Sequence, residues 1–72
     1  MSGLTKRSFS LAGHRTSVAL EDEFWAALVA IATERGQALS ALVTAVDAAR
    51  TPSQTLASAL RIVALKHDLP PR

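Results

Sequence analysis

The chain contains no cysteine and no tyrosine, and its 72 residues include only one tryptophan, two phenylalanines, three glycines and three prolines. Without cysteine there is neither a disulfide nor a thiolate metal site, so neither staple holds this small domain together. So few aromatic side chains in a chain that is 49% apolar, much of it alanine, favour closely packed helices over an aromatic-rich sheet core. No glycine-rich phosphate loop can be drawn, and no internal repeat or low-complexity tract is present. Long apolar runs are missing as well: charge interrupts every stretch before a bilayer span is reached, and the N-terminus has no continuous apolar signal core. The expected compartment is the cytoplasm, with no membrane partner.

What is present is arranged unevenly. Eight Lys and Arg against six Asp and Glu give a net charge of only +2. However, Lys6, Arg7 and Arg15, with His14, all precede the first acid, Glu21. Residues 1–13 therefore read as a basic, flexible arm, which can extend a strand locally through Arg7, Ser8, Phe9, Ser10 and Leu11.

Over residues 16–20 the larger side chains of Thr16, Val18 and Leu20 alternate with the small ones of Ser17 and Ala19, the two-residue repeat of a half-buried strand. No second strand of matching pattern stands out, so the expected partner is the same strand of another copy, and the chain is expected to be an obligate dimer. Glu21, Asp22 and Glu23 then open a helix over 21–35, where the positive end of the helix dipole favours acids. Phe24, Leu28 and Ile31, with Trp25 and Ala32 beside them, stripe one face, and Arg35 and Gly36 close it. Trp25, in phase with Leu28 and Ala32, reads as packing rather than a stacking platform.

Leu39, Leu42, Val43 and Val46 form the stripe of a second helix over 38–50. Thr51, Pro52 and Gln54 form a capping box that would start a third helix within 51–69, from about Pro52 to His67, ahead of a 70–72 tail. This third helix is apolar nearly all round. Leu56, Leu60 and Val63 line one face and should pack on the first two helices, whereas Ile62, Leu65 and Leu69 line another that a single small domain cannot cover.

The sequence carries no catalytic constellation. His14 and His67 have no metal spacing, no nucleophile–base set appears, and the successive acids at 21–23 fan out around a helix. The chain is expected to be neither an enzyme nor the holder of a metal or cofactor.

The order strand, helix, glycine turn, helix, with RTSVAL as the strand and an acidic entry into Phe24-Trp25, resembles the ribbon-helix-helix (Arc/MetJ-type) DNA-binding domain. The stretch HRTSVALEDEFWAAL and the ending LASALRIVALKHDL are similar to a bacterial subfamily with an additional C-terminal helix, and the resemblance covers residues 6–68. It implies a mainly α fold in which the short strand pairs antiparallel across a homodimer, and residues 14–50 make the ribbon-helix-helix core. Thr16, Val18, Leu20, Phe24, Trp25, Leu28, Leu42 and Val46 would then form the dimer core. Arg15, Ser17 and Ala19 would face the major groove of double-stranded DNA, Arg15 toward guanine and Ala19 toward a thymine methyl. Lys6 and Arg7 would contact the backbone, and Ser40, near an α-helical N-terminus capped only by Ala38, would be a phosphate donor.

The function this implies is a sequence-specific transcriptional repressor acting by occupying an operator. The alternative is an antitoxin-like or adaptor module of the same fold, in which Ile62, Leu65 and Leu69 bind another protein, seal the dimer or join two dimers.

Overall fold

A computed structural model describes residues 3–68. It contains strands β1 (Leu4–Leu11) and β2 (His14–Glu21), followed by helices α1 (Asp22–Glu34), α2 (Leu39–Ala49) and α3 (Leu56–Asp68). The strands pair antiparallel as one hairpin, with Leu4 opposite Glu21 and Leu11 opposite His14.

The hairpin changes the sequence reading in two ways. Residues 4–11 of the expected flexible arm are a full strand, and the partner of β2 is β1 of the same chain. The physical reason is the two-residue connection Ala12-Gly13, whose φ values of 51° and 81° are both positive. Two left-handed residues give the type I′ turn, whose twist matches that of paired strands. β2 therefore needs no second copy to satisfy one of its edges, and the solitary-strand argument for an obligate dimer loses its premise.

Across the hairpin, Thr5, Arg7, Phe9 and Leu11 lie opposite Leu20, Val18, Thr16 and His14, and this face turns toward the helices. Phe9, Leu11, Val18 and Leu20 are buried there. The start of β1 is held twice by the first turn of α1. The Thr5 hydroxyl donates to Asp22 Oδ1, and Trp25 Nε1 donates to the Thr5 carbonyl at 2.8 Å. The Phe9 and Trp25 ring centroids are 5.9 Å apart.

α1 buries Leu28 and Ile31 of the expected stripe, with Trp25 and Ala32 beside them, whereas Phe24, which was to lead the stripe, is half-buried. It ends in a Schellman arrangement, with Gly36 at φ 65°, its N–H on the Thr33 carbonyl, and the Gln37 N–H on the Ala32 carbonyl. α2 buries Leu42 and Val43, with Leu39 and Val46 half-buried against the same core.

α3 begins four residues later than the capping box at Thr51 implies. The Thr51 hydroxyl meets the Ser53 hydroxyl at 3.3 Å, and the Gln54 carbonyl accepts from Arg50 Nη1 at 2.7 Å, so this segment is a turn. Thr55 is the cap: its Oγ1 accepts the Ser58 N–H at 3.1 Å and its carbonyl accepts the Ala59 N–H at 3.0 Å. Leu56, Ala59, Leu60 and Ala64 are buried and Val63 is half-buried against the core, whereas Ile62 and Leu65 are exposed. Leu69 and the 70–72 tail lie outside the described residues.

One chain thus buries Val18, Leu20, Trp25, Leu28 and Leu42, which the sequence reading assigned to a core shared by two chains. Thr16, Phe24 and Val46 remain half-buried. No single helix among the described residues is long and apolar enough to cross a bilayer.

Candidate nucleic-acid interface

The strand alternation that sends Phe9, Leu11, Val18 and Leu20 inward leaves the opposite face to Lys6, Ser8 and Ser10 from β1 and Arg15, Ser17 and Ala19 from β2. The register sets Lys6 beside Ala19, Ser8 beside Ser17 and Ser10 beside Arg15. All are exposed except Ala19, which is half-buried. Ser8 Oγ and Ser17 Oγ are 3.1 Å apart across the strands, so one hydroxyl donates to the other and both keep acceptor capacity outward. At two residues per repeat, three outward positions on one strand span about 13–14 Å, comparable with the width of a B-DNA major groove.

Of the residues expected to meet DNA, the hairpin brings together Arg15, Ser17, Ala19 and Lys6. Arg7 does not join them. It stands opposite Val18 on the inward face, with its guanidinium 5.1 Å from the centroid of the Trp25 ring. The cause is phase: Arg7 alternates with Phe9 and Leu11, whereas Lys6 alternates with Ser8 and Ser10. Its charge supports the packing of Trp25, a contact worth about 0.5–1 kcal/mol at an exposed site.

Ser40 belongs to a different element. It is exposed in the first turn of α2, where Ala38 supplies no side-chain cap, and its carbonyl accepts from the Thr44 hydroxyl at 2.8 Å. No hydrogen bond among the described residues ties its side chain to the hairpin. Ser8 and Ser10 were missed in the sequence as members of this face. The signal for them is the alternation of Lys6, Ser8 and Ser10 against Phe9 and Leu11, read together with the X-Gly dipeptide that turns the chain.

Behind this face, Glu21 ties the hairpin to α3. Arg61 Nη2 and Nε donate to its Oε1 at 3.0 and 3.2 Å, and the Arg61 guanidinium lies 5.7 Å from the Phe24 ring centroid. A backbone hydrogen bond at Glu21 itself, and then the Arg61 side chain, hold the Glu21 carboxyl below its ordinary value. Among the described residues no group of three or more His, Cys, Asp or Glu side chains is placed to hold a metal ion.

A family model described as the ribbon-helix-helix domain matches residues 4–67. The chain belongs to the ribbon-helix-helix family. No curated protein and no solved structure matches it. The ribbon-helix-helix family is one of DNA-binding regulatory domains rather than enzymes, and its members generally dimerise. In this chain α3 follows the ribbon and the two helices that give the family its name.

Proposed function

We propose that this chain is a homodimeric, sequence-specific DNA-binding protein that represses transcription by occupying an operator in the cytoplasm of a bacterium. The observation that carries the reading is the hairpin register, which gathers two cations, three serines and an alanine on one face while the opposite face buries Phe9, Leu11, Val18 and Leu20. A two-stranded ribbon is one of the two elements a B-DNA major groove admits. On this reading Arg15 forks onto guanine O6 and N7, Ser17 and the neighbouring serines meet base edges, and Ala19 contacts a thymine methyl. Lys6 engages phosphate. The first amides of α2, which have no intrahelical acceptors, would hold a second phosphate beside Ser40.

Dimerisation on this reading uses the edge of β2 that has no strand partner among the described residues, giving a sheet in which the two hairpins meet through their second strands. The half-buried Phe24 and Val46 offer further surface to a second copy. Two copies double the cations on the ribbon, which one chain supplies sparingly.

The test is a gel-shift titration against duplex DNA from upstream of the protein's own coding region. Arg15→Ala should lose about 1–3 kcal/mol on the preferred site and flatten discrimination between sites. Lys6→Ala should weaken all duplexes alike, with the salt slope falling by about 0.9 for each phosphate no longer neutralised. No binding to any duplex at low salt would refute the proposal.

A further inference from the structure

The outer face of the hairpin changes character along its length. Its rows, set by the cross-strand register, are Leu4 with Glu21, Lys6 with Ala19, Ser8 with Ser17 and Ser10 with Arg15. Toward the Ala12-Gly13 turn the face carries hydroxyls and a guanidinium, whereas toward α1 it ends in leucine. Leu4 is 59% exposed, more than any other large apolar side chain among the described residues, and it shares the phase of Lys6, Ser8 and Ser10. Ala19 is its diagonal neighbour across the strands, at a separation a leucine side chain can bridge. The DNA-binding reading gives Ala19 a thymine methyl and leaves Leu4 without a role. We propose that Leu4 and Ala19 together read the C5-methyl group of a pyrimidine, an inference that rests on that reading.

Chemistry, position and charge point to this ligand. Among the donors and acceptors that base edges present in the major groove, the C5-methyl is the one apolar group, so an exposed aliphatic side chain has a single partner there. Lys6, Ser8 and Ser10 already span about 13–14 Å, comparable with the width of the groove, and Leu4 stands one repeat beyond them, about 7 Å further along β1. C5 lies on the side of a pyrimidine nearest its own strand's backbone, so its methyl sits by the groove wall, where the end of the face falls. Glu21, in the same row as Leu4, would repel phosphate if its carboxylate stood free. Instead Arg61 Nη2 and Nε donate to its Oε1 at 3.0 and 3.2 Å, and that guanidinium lies 5.7 Å from the Phe24 ring centroid. The acid of this face is thus drawn toward α3 and paired, and the apolar end can approach a polyanion. The dimer reading does not cover Leu4, because hairpins that meet through β2 leave β1 as the outer strand of the joined sheet, with Leu4 separated from the partner by its own β2.

The test compares the full chain with Leu4→Ala in gel shifts on the upstream duplex, on the same duplex with uracil in place of every thymine, and on the same duplex with 5-methylcytosine in place of every cytosine. Uracil keeps the base pairing and removes the methyl. It should weaken the parent at least about four-fold more than it weakens Leu4→Ala, the change expected when the burial of one methyl group is lost. That result assigns the methyl to thymine. If 5-methylcytosine instead strengthens the parent by that factor and leaves Leu4→Ala unmoved, the methyl belongs to a modified cytosine. Effects of the altered bases on duplex shape are common to both proteins and cancel in the ratio. Leu4→Met, which keeps the apolar bulk, should retain the response of the parent, and circular-dichroism melts should show both variants folded. The proposal is overturned if neither base change separates the parent from Leu4→Ala, or if the Leu4 amide shifts with protein concentration in the absence of DNA, which would give the side chain to a second copy. Equal ratios with tight binding to the unmodified duplex leave the DNA-binding reading standing, whereas no binding to any of the three duplexes refutes both.

Discussion

Trp25→Phe tests whether the hairpin is fastened to the helices as described. The indole is 2% exposed, and its Nε1 donates to the Thr5 carbonyl at 2.8 Å, twenty residues away in the chain. Phenylalanine keeps an aromatic ring beside Phe9 and under Arg7 but removes the donor. Leaving a part-buried carbonyl without its partner costs about 1–2 kcal/mol, and the gap left by the smaller ring adds about 1 kcal/mol. The expected loss is about 2–3 kcal/mol, which in a domain of this length lowers the midpoint of thermal unfolding by about 10–20 °C. Because association would make the midpoint depend on concentration, the circular-dichroism melts are compared at one protomer concentration. Amide exchange gives the second readout: protection in β1 should fall more than in α2. A loss below about 0.5 kcal/mol, within the range of an ordinary surface change, would refute the docking of β1 on α1.

Thr55→Ala should lose about 1 kcal/mol in a urea titration, as the cap of α3, while Thr51→Ala changes little; the reverse order would restore the earlier helix start. Gly13→Ala should lose about 1 kcal/mol from the left-handed backbone alone, since nothing lies within 4 Å of the added carbon, and Ala12→Asn should gain stability in the same melts. Glu21 ionises more readily folded than unfolded, so its contribution is present above the ordinary value of 4.5 and is lost as pH falls through the lower folded value. Melting temperatures measured from about pH 5 to about pH 3 should therefore fall more for the parent than for Glu21→Gln, and equal slopes would contradict the Arg61 and backbone contacts.

The helices were legible because their signals are local. The period of Phe24, Leu28 and Ile31 with Trp25 and Ala32 beside them, and Gly36 at the cap, need only neighbouring residues to be read, and all but the half-buried Phe24 of these five apolar residues are buried. β1 was not legible, for two reasons. Its turn uses Ala12 where asparagine or aspartate would have announced a left-handed pair, and Arg7 sits in the apolar phase because its guanidinium lies over Trp25. The start of α3 could not be chosen locally either. Thr51 and Thr55 are both competent caps, and the Arg50 hydrogen bond to the Gln54 carbonyl leaves the role to the second. For the outer face of the hairpin, alternation in β2 was enough to place Arg15, Ser17 and Ala19 together. Ser8 and Ser10 became visible only once the cross-strand register was known.

The central claim, that the outer face of the hairpin meets DNA, is tested most directly by titrating the labelled chain with upstream duplex DNA at low salt and following every amide. Saturable shifts are expected at Lys6, Ser8, Ser10, Arg15, Ser17 and Ala19. Shifts confined to α3, or a hairpin that stays silent while DNA binds elsewhere, would contradict it.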